Sequence, residues 1–302
     1  MLNGAMCVDG KFGGAFTAIV TPFTKDATSI DISSLKKLIE FQISSGIHGL
    51  VACGSTGEGQ VLTSEESYEV VKTCMSVSNK KIPIIGSIGT NDTSKAIQTA
   101  SALRSLSVDG ILVVSPPYNK PPQRGIVEHF RAIKKASSLP IILYNIPGRT
   151  AVNIHVSTIQ QLVNEGVVQS IKESSGSFDQ VMDTIFAVGD KASVLSGEDA
   201  LVAGTLASGG QGVITAVGNV LPSEFASMCD YAKNQDFESV KKIQLKILPF
   251  IRLMFQDTNP IPVKCALKEM GIIQHDSLRL PLVSAEDSLR EKIQHALTSL
   301  SR

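Results

Sequence analysis

Eight short apolar runs recur along the 302-residue chain, and helical patterns fill the gaps between them. The runs are AFTAIVT (15–21), IHGLVAC (47–53), IPIIGSI (82–88), DGILVVS (109–115), PIILYNI (140–146), VVQSIK (167–172), ASVLS (192–196) and GGQGVITAV (209–217). Most are rich in Val and Ile and do not alternate with polar residues, the pattern of strands buried on both faces of a parallel sheet. After the first run, Ile32, Leu35, Leu38, Ile39 and Ile43 fall at helix spacing, and Gly46 stops the pattern. Thr63-Ser-Glu-Glu66 opens the next helix as a capping box. Asn91-Asp-Thr-Ser and Ser174-Ser-Gly-Ser-Phe-Asp mark two further helix starts. Eight such units in about 220 residues predict an α/β fold, a TIM (β/α)8 barrel spanning 1–235. No GxGxxG follows the first run, so a dinucleotide-binding open sheet has no support. Beyond the barrel the strands stop. Residues 236–302 read as a three-helix C-terminal extension that packs on the barrel or forms an interface.

Charge narrows the function classes. Twenty-eight Lys+Arg balance twenty-eight Asp+Glu, which leaves neither a basic nucleic-acid footprint nor an acidic tail. No apolar run is long enough to cross a bilayer. The stretch MLNGAMCVDGKFGG lacks the basic and apolar regions of a signal peptide. Five widely spaced Cys with no CxxC argue against a disulfide framework or a zinc site and fit a reducing, cytoplasmic setting. The five His show no HxxxH or HExxH pairing, so a metal centre is unsupported.

In a barrel of this kind chemistry sits at the C-terminal ends of the strands. Lys172 closes the run VVQSI and should point into the barrel mouth. A lysine desolvated there becomes a neutral amine able to form a Schiff base with a ketone. The competing reading is an ordinary strand-end lysine paired with Glu173. After the second run, Gly54-Ser-Thr-Gly-Glu58 offers the hydroxyls of Ser55 and Thr56 between glycines, whose backbone N–H groups can converge on an anion. The same string also suits a plain strand-to-helix turn. Two of the four tyrosines, Tyr118 and Tyr144, fall at strand ends, where phenols can relay protons or simply rim the barrel. Arg149, in the loop after the fifth run, presents a guanidinium fork suited to a carboxylate, or to a surface salt bridge. An amine nucleophile, a proton relay, an anion cradle and a guanidinium together suit a 2-oxo acid.

Eight strings, in order, carry a family resemblance over nearly the whole chain: AIVTPF (18–23), GSTGE (54–58), PPYNKP (116–121), LYNIPGRT (143–150), IKESSG (171–176), SGEDA (196–200), GGQGVI (209–214) and NPIPVK (259–264). The chain resembles the class I pyruvate-dependent lyases of the dihydrodipicolinate synthase and N-acetylneuraminate lyase group. The resemblance implies that Lys172 forms an imine with pyruvate and that Tyr144 shuttles protons. It implies that Ser55 stands where synthases usually carry Thr, and that Tyr118 completes the relay from a neighbouring subunit. Thr56 and the turn amides would hold the pyruvate carboxylate, and Arg149 the carboxylate of L-aspartate 4-semialdehyde. Gly197 and the Ile214 carbonyl would line the pocket. No metal or organic cofactor is implied, because the protonated imine is the electron sink. A homotetramer, a dimer of dimers, is implied as well.

Arg149 points to the synthases, since sugar-acid aldolases of the group usually lack it. Ser55, common in neuraminate lyases, and Ala151, in place of a frequent glycine, keep the aldolase alternative open. A ligand-binding protein that had lost catalysis would be expected to have lost Lys172, which is present. Lysine-inhibited members carry an aromatic residue, an acid and in some cases a His where this chain has Pro117, Lys95 and Ser67, although Asn91 is retained. Weak or absent inhibition by L-lysine is therefore expected.

Overall fold

The computed structural model describes residues 7–8 and 10–300. Residues 1–6 and 9, half of the stretch MLNGAMCVDGKFGG, lie outside them. The first elements, β1 (Cys7–Val8) and β2 (Lys11–Phe12), form a short antiparallel hairpin that the sequence pattern did not announce. Eight parallel strands follow: β3 (Gly14–Ala18), β4 (Gly49–Ala52), β5 (Ile84–Ile88), β6 (Gly110–Val114), β7 (Ile141–Asn145), β8 (Ser170–Glu173), β9 (Ser193–Ser196) and β10 (Gly212–Thr215). They close into a barrel in chain order, with β10 pairing back to β3. All eight apolar runs hold a strand, so the expected TIM (β/α)8 barrel is the fold.

The strands are shorter than the runs, and the trimmed residues have other partners. After Ala18 the chain leaves the ladder: Val20 N–H donates to Asn219 Oδ1 at 3.1 Å. Val167 and Val168 precede β8 and are buried in the loop that leads into it. The helices of the barrel layer are α1 (Ile32–Ser44), α2 (Ser64–Ser78), α3 (Thr93–Ser105), α4 (Gln123–Ser137), the one-turn α5 (Pro147–Thr150), α6 (Val156–Asn164), α7 (Phe178–Val188), α8 (Val202–Ala207) and α9 (Pro222–Lys233). The capping box at Thr63 and Glu66 forms with both of its hydrogen bonds. Asp92 and Ser177 cap α3 and α7 with their side chains.

Period-two alternation divides each strand between two cores. Outward side chains such as Leu50, Ile111 and Ile171 pack under the helices. Inward ones fill the barrel with Phe16, Val51, Ile85, Leu112, Ile142, Leu195 and Ile214. Phe12, from the hairpin, closes the floor: its ring meets Phe16 edge-on at 5.9 Å, and its N–H donates to Ser170 Oγ at 3.0 Å. Position 49 must be glycine for this packing, because a Cβ there would collide with the Phe16 ring.

The last three helices, α10 (Phe237–Met254), α11 (Ile261–Glu269) and α12 (Asp287–Leu300), lie where the sequence places them. Helix α10 packs on α8 and α9, and α11 packs on α12. Two charged contacts fasten this segment to the barrel's upper end. Lys264, fully buried, pairs with the equally buried Glu58. Arg279 forms a bidentate pair with Glu66 at 2.6 and 2.7 Å, and the same carboxylate caps α2.

Candidate active site

Lys172 is the third residue of β8, directly opposite Tyr144 of β7 in the ladder. Both side chains therefore point into the barrel from neighbouring strands. The ammonium of Lys172 lies 4.2 Å from the centre of the Tyr144 ring, and both residues are buried. Among the described residues the Lys172 ammonium has no hydrogen-bond or salt-bridge partner. Glu173 does not pair with it, because the alternation of the strand turns that carboxylate outward. There it accepts from Asn145 Nδ2 at 3.1 and 3.2 Å, from Ser175 N–H at 2.7 Å and from Gln180 Nε2 at 3.3 Å. Burial pushes the Glu173 carboxyl up, and these hydrogen bonds pull it back. The ordinary ion-paired lysine is thus not what the structure contains.

Above Lys172 a cavity of about 480 Å³ opens at the C-terminal ends of the strands. Seven of the eight residues singled out from the sequence line it: Lys172, Tyr144, Ser55, Thr56, Arg149, Gly197 and Ile214. Gly197 is required by close approach, since a Cβ would run into Ser174 Oγ and the Lys172 side chain. Ser55 and Thr56 stand on the tight turn after β4. Its ends, Cys53 (φ 59°) and Glu58 (φ 53°), both sit in the left-handed region that non-glycine residues seldom adopt. The turn is held in place by Thr21 Oγ1, which donates to Gly57 O at 2.7 Å, and by the buried pair between Glu58 and Lys264. Burial pulls the Lys264 ammonium down to about 8, against the upward pull of Glu58.

Arg149 sits on α5, exposed, with Nη2 donating to the Asn259 carbonyl at 3.1 Å. Asn259 Nδ2 in turn donates to Thr56 Oγ1 at 2.9 Å. Asn259, with Phe255, Asp257 and Thr258, brings the segment between α10 and α11 into the cavity wall. In the sequence, NPIPVK carries the family resemblance, and none of its residues stands out there as a site residue. The signal available was a polar Asn beside two prolines inside an otherwise helical tail. Glu198 also lines the cavity and was missed. Burial pushes Glu198 and the adjacent, fully enclosed Asp199 up, and the positive Lys172 pulls both down.

Tyr118 is the exception. Within the single chain it does not reach the cavity and is 89% exposed. Asn119 N–H closes a three-residue turn onto Pro117 O at 2.8 Å, with Tyr118 at its centre at φ 70°. Such a turn is strained and rare, and it holds the phenol outward. The loop is tied to its neighbour through Asn119 Nδ2, which donates to Asn91 O at 3.0 Å. Lys95 and Ser67 line a second cavity of about 660 Å³, and Pro117 does not. Among the described residues no three His, Cys, Asp or Glu side chains come together as a metal site needs.

Known proteins resemble the chain in sequence and fold. The chain is 41% identical over 286 residues to the 4-hydroxy-tetrahydrodipicolinate synthase of Syntrophobacter fumaroxidans, covering 95% of this chain and 98% of that one. It is likewise 41% identical over 288 residues to the synthase of Thermodesulfovibrio yellowstonii, with 95% and 98% covered. The crystal structure of the chloride-inhibited dihydrodipicolinate synthase from Acinetobacter baumannii, complexed with pyruvate, superposes with a TM-score of 0.93 at 38% identity over 96% of this chain and 99% of that one. The model of the dihydrodipicolinate synthetase family matches residues 11–300. With the barrel, the strings and the cavity in agreement, the chain belongs to the dihydrodipicolinate synthetase family.

Proposed function

We propose that the chain carries the activity for which its relatives are named, 4-hydroxy-tetrahydrodipicolinate synthase activity, condensing pyruvate with L-aspartate 4-semialdehyde. The carrying observation is Lys172: a buried lysine with no salt-bridge partner among the described residues, stacked on a buried tyrosine at the base of a cavity whose mouth holds Arg149. The Lys172 amine attacks the pyruvate ketone, and water leaves to give a protonated imine. That imine acidifies the methyl group. Tyr144, with the hydroxyl of Ser55, takes up and returns the protons, giving an enamine. The enamine carbon attacks the aldehyde, whose oxygen is protonated. The substrate's own amine then adds to the imine carbon and expels Lys172, closing the ring and freeing the enzyme.

Thr56 and the turn amides hold the pyruvate carboxylate, and Arg149, steadied by the Asn259 carbonyl, takes the carboxylate of the aldehyde. Gly197 leaves room beside the lysine, and Ile214 forms the wall. Tyr118 enters this scheme from a second copy of the chain; its strained, outward display supports that role. A homotetramer suits the exposed Phe186 and Met182 on α7, and a cytoplasmic setting suits the buried, free Cys53, Cys74, Cys229 and Cys265.

The test compares wild type with Lys172→Ala, assaying condensation of the two substrates. Wild type forms product, and the variant loses at least about a thousandfold in rate, as removal of a covalent nucleophile does. Borohydride with pyruvate traps a Lys172 adduct in wild type only. Trapping without condensation would mean another acceptor aldehyde, such as a sugar, and would overturn the role given to Arg149.

A further inference from the structure

We infer that Asn259 is a positioning residue that decides which hydrogen bond Thr56 offers to the carboxylate of the 2-oxo acid. The inference rests on the reading of Thr56 as a carboxylate ligand. A threonine hydroxyl has one hydrogen and two acceptor lone pairs, and its rotor turns to suit its partners. Asn259 Nδ2 occupies a lone pair of Thr56 Oγ1 at 2.9 Å. The hydroxyl hydrogen must then point elsewhere, and no other partner among the described residues takes it. Thr56 is 5% exposed and lines the cavity, so the remaining direction for that hydrogen is toward a bound anion. Without the amide donor, the hydroxyl is free to spend its hydrogen on the Asn259 side.

Two further observations tie this residue to the site. Asn259 Oδ1 is buried with no hydrogen-bond partner among the described residues. An orphaned amide oxygen is destabilising, yet it is kept at the wall of the cavity. The backbone of the same residue holds Arg149 through its carbonyl at 3.1 Å. One residue thus touches both anion-binding groups, through two different atoms. The side chain serves Thr56 and the main chain serves Arg149. Five residues on, Lys264 is locked to Glu58, two residues beyond Thr56, so the two segments are held together by buried charge.

This division of labour separates the two substrates in steady-state kinetics. Asn259→Ala deletes the amide and keeps the carbonyl. It is expected to raise the pyruvate KM about tenfold, the scale of one hydrogen bond to a charged group, and to leave the aldehyde KM within about twofold. The pyruvate concentration that half-saturates borohydride trapping at Lys172 shifts by the same factor. Asn259→Asp is isosteric but accepts where Asn donates, so it raises the pyruvate KM at least as far; it carries the test if the alanine variant does not fold. Thr56→Val raises the same KM, and the Thr56→Val, Asn259→Ala double variant goes no further, because Asn259 acts through Thr56. Additive effects, equal rises in both KM values, or wild-type pyruvate binding in Asn259→Asp would overturn the inference. A wild-type pyruvate KM in Thr56→Val would instead overturn the carboxylate reading itself.

Discussion

The two ends of the barrel are built from the same strands and do opposite things. At the floor, Phe12 and Phe16 meet edge-on, Gly49 makes room for a ring, and the hairpin β1–β2 seals the opening. At the mouth, the same inward face carries Lys172 and Tyr144, and the wall is completed by a turn with left-handed ends and by a segment from the C-terminal helices. On β8 the change takes one step of the alternation: Ser170 faces the floor and Lys172 the mouth. Apolar packing fills one end, and the other holds a buried lysine with no salt-bridge partner among the described residues. Stability and chemistry are therefore separable by position along a strand, and substitutions at the two ends should fail in different ways.

The floor is the simpler end to break. Phe16→Ala removes a fully buried ring and should cost about 3–5 kcal/mol of unfolding free energy. The pyruvate KM of the folded protein should stay within about twofold, since Phe16 is not among the residues that line the cavity. Denaturant unfolding and steady-state kinetics on one preparation check both halves. A large KM change would mean that the two ends are mechanically coupled.

The Lys264–Glu58 pair sharpens the comparison, because it is structural charge placed at the chemical end. Lys264→Met leaves a buried carboxylate uncompensated and should cost about 3–5 kcal/mol. The double variant Lys264→Met, Glu58→Gln should recover part of that loss, since it leaves no stranded charge. Pyruvate KM should rise in the single variant through the loosened Thr56 turn. If the double variant were as unstable as the single, the pair would be acting through packing alone. The ammonium also lies 4.2 Å from the Phe23 ring centre, a contact that Met would partly keep.

The barrel was legible in the sequence because a parallel strand buried on both faces leaves a Val- and Ile-rich run that little else produces. Its mouth was legible because Lys172, Tyr144 and the Ser55–Thr56 turn all follow such runs. Three features were not. The hairpin β1–β2 has only two residues in each strand, too short for any period to register. Asn259 and Glu58 act through contacts with residues some two hundred positions away, and no local pattern encodes that distance. Tyr118 sits at a strand end as expected, but the strained turn that aims it outward depends on a backbone conformation that its Pro-Tyr-Asn sequence does not announce.

His129 offers the mildest test, since it is a buried titratable group in the helix layer that belongs to neither end. It lies on α4, 4% exposed, with Nδ1 at 2.9 Å from Thr93 Oγ1 and Nε2 without a partner among the described residues. Burial pulls its pKa down to about 4 from the ordinary 6.5. Below 6.5 the unfolded chain takes up a proton that the folded chain refuses, so stability falls as the pH drops from 6.5 toward 4. The full loss is about 3 kcal/mol. His129→Leu should lessen the acid-side slope of the stability profile, measured by denaturant unfolding between pH 7 and pH 4.5, leaving the part due to His48, whose pKa burial also lowers, and leave the pyruvate KM at neutral pH unchanged. If the wild-type slope persisted in the variant, the acid sensitivity would belong to other groups. The raised carboxyls Glu198 and Asp199 do not mimic it: their folded pKa values lie above the unfolded ones, so their protonation favours the folded state as the pH falls. An acid-labile fold with an acid-tolerant cavity would then be the mark of a barrel whose packing and chemistry titrate separately.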